Sequence, residues 1–287
     1  MRITEIMKHR TPAFSFEFFP PKSDEDTQKL FHTLHDLKHL NPSFVSVTYG
    51  AGGGTRDRTV QIVEEAKSKI GLESAAHLTC VGHSKAEIKL ILDDLFRSGI
   101  DNVVALRGDP PRGEARFAPH PDGFRHASEL TAFIRNSYPF CIAVAGNPEG
   151  HIEAPDKATD WGHLEEKVKA GADLIITQLF FDNRYFFDFE KHMRERGISV
   201  PIIPGIMPIT NFQQILRFTR ICGATIPPKV EADLERIQDE PELVHRYGVE
   251  FATRQCKELL AHGVPGIHFF TLNKSAATRE IISRLKN

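Results

Sequence analysis

No run of about 18 apolar residues crosses the 287-residue chain, so a membrane-spanning helix is not expected. The opening stretch, MRITEIMKHRTPAF, also lacks the apolar core that a secretory leader needs. Neither charge sign dominates: the formal net charge is −2, which offers no field to attract nucleic acid or an anionic lipid surface. Cysteine is scarce. The four thiols, Cys80, Cys141, Cys222 and Cys256, lie far apart with no C-x-x-C pair. Disulfides and a thiolate zinc site are therefore not expected, and free thiols in a reducing cytoplasm are. Three signatures of other enzyme classes are missing as well. There is no G-x-x-x-x-G-K-[ST] phosphate loop and no G-x-S-x-G elbow, and GAGGGT at 50–55 fails the dinucleotide fingerprint at its last position. The histidines do not pair with carboxylates at metal-ligand spacing, apart from a loose His151/Glu153, so no metal is expected.

What is present is a recurring unit. Short β-rich runs stand at 14–18, 44–49, 75–80, 102–107, 141–146, 174–179, 201–206 and 266–272. Helical stretches separate them. Leu30, Leu34 and Leu37 form one stripe within 24–40. Ser84 and Glu87 are spaced as a capping box that opens a helix over Ile88, Leu92 and Leu95 and stops at Gly99. Gly171, Gly197 and Gly263 stand where later helices should stop. Eight nearly continuous apolar strands alternating with helices predict a parallel sheet covered by helices, and the count and length predict a single-domain (β/α)₈ barrel over 1–287. A doubly wound open sheet is the alternative. The long gap before the last strand calls for an extra helical segment at about 228–262.

In such a barrel, chemistry gathers where strands end and βα loops begin. Read in order, those ends carry Glu17, Thr48 to Ala51, His77 to Thr79, Arg107 to Asp109, Asn147 to Glu149 with His151, Gln178, Met207 and Thr271 to Lys274. Each has a bland reading: Glu17 as a paired core carboxylate, His77 as a hydrogen-bonded core imidazole, Arg107 to Asp109 as a solvated turn. Their shared rim position argues for a site suited to a large polar cofactor, with Arg107 able to meet a phosphate or a ring carbonyl. Strand alternation sends Phe14, Phe16 and Phe18 to one face and Ser15, Glu17 and Phe19 to the other. With Phe19 and Pro20 keeping water away, desolvation is expected to hold Glu17 protonated.

The ordered segments SFEFFPPKSDED, VSVTYGAGGGTRDRT, AAHLTC, NVVALRGDPP, ITQLFFD, IIPGIMPI and HFFTLN together resemble the methylenetetrahydrofolate reductase family. The resemblance implies a (β/α)₈ barrel that binds FAD noncovalently and reduces 5,10-methylenetetrahydrofolate to 5-methyltetrahydrofolate with NADH or NADPH. Turnover would be ping-pong, in a cytoplasmic enzyme of one-carbon metabolism and methionine biosynthesis. Family members are often homo-oligomers, while nothing suggests a nucleic-acid or membrane partner. By motif, Glu17 resembles the general acid and Asp109 the carboxylate between flavin and pterin. Thr48, Tyr49, Ala51, His77, Arg107, Gly108, Asp109, Ala127, His151, Ala154, Asp160, His163 and Lys167 resemble cofactor contacts. Glu17, Asp109, Gln178, Gln214 and Lys274 resemble substrate contacts.

The chain departs from the family pattern at His126, Asn147, His163 and Glu166, where relatives carry other residues around the flavin. The C-terminal regulatory domain of eukaryotic relatives is not expected. Chemically, protonation at N10 would open the folate's five-membered ring to an iminium. Glu17 would supply that proton, and an ionised Asp109 would steady the cation. The rivals are another flavin-dependent barrel oxidoreductase, of the proline dehydrogenase kind, and an inactive folate-binding relative.

Overall fold

The computed structural model describes residues 1–49, 56–110 and 117–286. Among them, eight parallel strands close in sequence order into a barrel, with β8 pairing back to β1. The strands are β1 (Ala13–Phe18), β2 (Phe44–Val47), β3 (Ser74–Thr79), β4 (Asn102–Leu106), β5 (Cys141–Gly146), β6 (Leu174–Leu179), β7 (Ile202–Ile206) and β8 (Gly266–Phe270). The main covering helices are α2 (Asp24–Lys38), α3 (Arg56–Glu65), α4 (Lys85–Arg97), α5 (Ala127–Ser137), α6 (Lys157–Lys169), α7 (Asn183–Glu195) and α8 (Phe212–Cys222). The run 228–262 forms two further helices, α9 (Pro228–Ile237) and α10 (Pro241–His262), before β8, and α11 (Ala276–Lys286) closes the ring. At the start of the chain, α1 (Ile3–His9) lies ahead of β1.

The local signals act as their chemistry requires. Ser84 and Glu87 cap α4 reciprocally, satisfying two of the orphan N–H groups at the helix start. Gly99, Gly171, Gly197 and Gly263 all take positive φ just past helix ends, where a side chain would be strained.

Two apolar layers follow from strand alternation. Phe16, Phe18 and Phe269 point outward and pack under the helices, with Phe269 stacked against Phe14 and tilted on Phe16 at 6.4 and 6.2 Å. Burying one such ring contributes about 1.5–3 kcal/mol. The opposite faces of the strands fill the barrel with Ala13, Phe44, Ala75, Val104, Cys141, Ala143, Leu174, Ile176 and Ile203. Ile3 and Met7 of α1 join that inner cluster and stop the N-terminal end, where the Ile3 N–H donates to Asn102 Oδ1 at 2.8 Å. The C-terminal end is therefore the one left for chemistry.

The α9–α10 segment is fastened to that end. A Cβ added at Gly248 would fall 1.7 Å from the carbonyl oxygen of Ile209, so α10 sits directly on the loop that follows β7. A third apolar cluster, with Met207, Phe212, Leu234 and Val244, fills the space between.

Candidate active site at the C-terminal mouth of the barrel

Glu17 is the inward residue nearest the end of β1, in register with Ser46 of β2 and Phe270 of β8. It is only 9% exposed. Its dryness comes from the barrel interior and not from the apolar residues that follow it, since Phe19 is 38% exposed. Two imidazoles meet one of its oxygens. His77 Nε2 of β3 and His268 Nε2 of β8 each lie 3.4 Å from Glu17 Oε2.

Those rings change the electrostatics expected from sequence. Burial pushes the Glu17 carboxyl up, but the hydrogen bond from His268 and the fields of His77 and His268 pull it down, and the net direction is below the ordinary carboxyl value. Desolvation also holds His77 below its ordinary value, against the opposing pull of Glu17. The expectation that burial alone keeps the proton on Glu17 thus omitted the imidazoles that face it. His268 was missed altogether, although alternation along GIHFFTL would have turned it inward with Gly266 and Phe270. Among the described residues, no group of three His, Cys, Asp or Glu side chains is disposed to hold a metal ion.

Around Glu17 and its two imidazoles, the buried hydroxyls Ser46 Oγ and Thr79 Oγ1 make no hydrogen bond among the described residues, and neither does His77 Nε2, whose approach to Glu17 Oε2 is an ion-pair contact only. Such orphans are costly unless a ligand or water completes them. Gln178 follows Leu174 and Ile176 on the inward face of β6 and is half-buried; its side chain accepts from the Leu179 N–H at 2.9 Å. At the end of β2, Thr48 is half-buried, and its carbonyl accepts from Thr59 at 3.0 Å. Tyr49 is buried, with its hydroxyl 3.0 Å from His83 Nε2 and its ring edge-on to that imidazole. Ala51 lies outside the described residues.

A second group forms a basic wall. Arg107 follows β4, pairs with Glu153 Oε2 at 2.7 Å and lies 5.0 Å over the Phe117 ring. Gly108 has φ +89°, and a Cβ there would meet Val81 at 2.8 Å, so the turn that presents Asp109 needs glycine. Asp109 itself is exposed. Lys167 reaches from α6 to donate to the Ala145 carbonyl at 2.5 Å. Burial pulls its ammonium down to about 8, against the attraction of Asp160, with Arg107 adding to the fall. A cation held short of a full counterion is suited to receive an anionic group. Asn147, one of the departures from the family pattern, has a structural use: its amide donates to Asp160 Oδ2 at 3.1 Å, and its carbonyl accepts from Trp161 Nε1 at 2.9 Å.

His151 accepts the Glu153 N–H at 3.1 Å, and its carbonyl accepts from the Ala154 N–H at 2.9 Å. That turn brings Glu153 to Arg107. His126 precedes α5 without capping it through its side chain, and Ala127 is the first helical residue. His163 and Glu166 are exposed on α6. Gln214 is half-buried in the first turn of α8, and its N–H is capped by Asn211 Oδ1 at 2.8 Å. Lys274 is exposed beyond β8. Its neighbour Asn273 exchanges two hydrogen bonds with the Phe19 backbone, at 2.8 and 2.9 Å, tying the ends of β1 and β8 together. A groove of about 600 Å³ lies elsewhere, between α2 and α3. Of the sequence-read site residues it holds none, so its size says nothing about the chemistry.

A family model described as methylenetetrahydrofolate reductase matches residues 2–286. "Methylenetetrahydrofolate reductase (NADH) 1" of Arabidopsis thaliana is 42% identical over 295 residues, covering 99% of this chain and 50% of the relative. "5,10-Methylenetetrahydrofolate reductase" of Escherichia coli (strain K12) is 39% identical, covering 94% of this chain and 90% of the relative. The chain spans about half the length of the plant and yeast relatives it matches. A solved structure of an uncharacterized protein from Clostridium thermocellum, which binds two copies of 5-methyl-5,6,7,8-tetrahydrofolic acid, superposes with a TM-score of 0.64 at 15% identity. The superposition covers 100% of this chain and 98% of that one, and at that identity it shows the fold alone.

Proposed function

Because the chain belongs to the methylenetetrahydrofolate reductase family, we propose that it reduces 5,10-methylenetetrahydrofolate to 5-methyltetrahydrofolate with FAD as its cofactor. NADH or NADPH is the reductant, and the plant relatives' names make NADH the first to try. The observation that carries the reading is a carboxyl inside the barrel mouth, Glu17, faced by His77 and beside the hydroxyls of Ser46 and Thr79, which make no hydrogen bond among the described residues. One oxidoreductase barrel over 1–287, working in the reducing cytoplasm with its four cysteines free, is part of the proposal.

The residues present fit the cofactor. Lys167 and Arg107 would take anionic phosphate oxygens, Arg107 at the expense of its pair with Glu153. Tyr49, His77, Gly108 and Ala127 would border the ring, and Asp160, His151, Ala154 and His163 the remainder of the nucleotide. When bound, FAD supplies hydride transfer from the nicotinamide and to the folate, which the protein's own side chains cannot do.

Glu17 is the proton donor for N10 of the folate. In the open mouth the imidazoles win and the carboxyl sits low. Desolvation is nevertheless the largest single influence on it. A flat ligand laid over the mouth removes more water and strengthens that influence, so Glu17 takes up its proton as the site closes. Asp109, on the exposed turn after β4, would face the cation that ring opening creates. Gln178, Gln214 and Lys274 would fix the substrate.

Anaerobic stopped-flow on the purified holoenzyme tests the reading. NADH or NADPH should bleach the yellow flavin bands, and methylenetetrahydrofolate should restore them. A colourless protein would favour a flavin-free folate binder. Reoxidation by an amino-acid-derived acceptor and not by folate would favour an oxidoreductase of the proline dehydrogenase kind.

A further inference from the structure

Behind Glu17 lies a hydroxyl that no step so far uses. Ser15 is two residues earlier on the same inward face of β1 and 1% exposed. Its Oγ lies 2.7 Å from Nδ1 of His268. The other ring nitrogen, Nε2, faces Glu17 Oε2. The imidazole, fully buried, is clamped by the face of Phe44 at 5.8 Å and the edge of Phe270 at 5.6 Å. It can therefore meet both neighbours in only one orientation, and what remains to be set is which nitrogen bears hydrogen.

Hydrogen-bond accounting decides that. If Nδ1–H donated to Ser15, the serine hydrogen would be left over in a fully buried site, because His268 is the partner Ser15 has among the described residues. If Ser15 donates to Nδ1, then Nε2–H points at Glu17 Oε2, and every hydrogen has an acceptor. We infer that Ser15 is a positioning residue that fixes His268 as an Nε2–H donor to Glu17 and so steadies the carboxylate left when Glu17 gives up its proton.

Both imidazole contacts fall on Oε2, which leaves Oε1 to carry the transferable proton. In the transfer, the Glu17 O–H bond breaks and an N–H bond forms on the folate. No electrons leave the protein, and the new carboxylate already faces its donor. The ionisable groups that act on Glu17 are His77 and His268, and those that act on His77 are Glu17 and His268. Among the described residues, His268 is the one of the two imidazoles with a second partner to set its tautomer.

The inference rests on the folate reading above, and two measurements separate their fates. ¹⁵N NMR of imidazole-labelled holoenzyme should show His268 with Nε2 protonated and Nδ1 bare, and Ser15→Ala should move the ring toward the Nδ1–H form. Calorimetry of 5-methyltetrahydrofolate binding, in buffers of different ionisation heat, should show proton uptake at pH 7 by the wild type. Uptake should be at least about twofold smaller in Ser15→Ala, whose Glu17 keeps its proton before the ligand arrives, and Ser15→Thr should restore both readouts. A wild-type His268 ring protonated at Nδ1 overturns the inference without any variant, and so does Ser15→Ala with unchanged ring shifts and unchanged uptake. If the wild type binds no folate, the functional reading fails, while the ring spectrum still judges the role of Ser15.

Discussion

Replacing Glu17 by Gln is the sharpest perturbation of the proposed chemistry. The amide keeps the size of the side chain and an acceptor oxygen for His268 Nε2–H, but it has no proton to release. General-acid catalysis contributes roughly 10²- to 10⁴-fold, equivalent to about 3–5 kcal/mol on the barrier. The change should fall on one half-reaction. Flavin reduction by the nicotinamide needs no proton from residue 17 and should stay within about threefold. Reoxidation by methylenetetrahydrofolate should slow by at least about a hundredfold. Anaerobic stopped-flow at the flavin band reads both. There is also a signature in stability. Because the Glu17 carboxyl lies below its ordinary value in the open site, its ionised form contributes stability above the unfolded pKa, and that contribution is lost as pH falls through the folded one. On denaturation of the flavin-free protein, Glu17→Gln should lose less stability than wild type between neutrality and pH values below the ordinary carboxyl range. Reoxidation slowed less than about tenfold would remove Glu17 from the proton step. Equal slowing of both half-reactions would mean that residue 17 places the flavin and donates nothing.

Three other perturbations address the surroundings. Asp109→Asn should slow folate-driven reoxidation more than reduction by nicotinamide, as compared in single turnovers; equal slowing would assign Asp109 to flavin placement. Lys167, with its ammonium pulled down to about 8, should hold an anionic ligand best while charged. FAD affinity measured by fluorescence quenching should therefore weaken as pH rises through about 8, and Lys167→Met should be weak and flat with pH. With a folded pKa below the unfolded one, the same lysine makes stability of the flavin-free protein rise with pH from about 8 toward the unfolded value. Gly248→Ala forces a methyl against the Ile209 carbonyl and should destabilise the fold by about 1–3 kcal/mol or more, seen as a lower denaturation midpoint; an unchanged midpoint would refute the close seating of α10.

Strand order and helix caps were legible because they are local. Alternation in FSFEF, the Ser84–Glu87 spacing and the glycines after the helices each act within a few residues, and a parallel barrel adds only the closure of β8 onto β1. Position on the rim was legible too, since a residue at the end of a barrel strand has one place to be. Two kinds of information were not. One is mutual distance across the barrel: His268 is 251 residues from Glu17 in sequence, and nothing near either residue announces the other. The other is the sign of an electrostatic balance. The run EGHIEA at 149–154 cannot say that Glu153 will take Arg107, nor can an apolar flank say that Glu17 will be met by imidazoles.

That second failure carries a physical consequence. A carboxyl kept protonated by dryness alone would be a weak acid, poorly matched to giving its proton away, because the anion it leaves behind would be buried without a partner. A carboxyl backed by a hydrogen-bond donor is a stronger acid but must be loaded. In this barrel the donor, His268, is fixed in the wall on β8, with His77 facing the same oxygen from β3, while the slight exposure that Glu17 keeps is at the open end, where a ligand can cover it. Loading can then be tied to ligand arrival and release to the stabilised anion, which are separate requirements met by separate parts of the mouth. A Glu17 equally protonated with and without folate in the site, seen as folate binding with no proton uptake, would break that division, and with it the case for placing the acid inside the barrel.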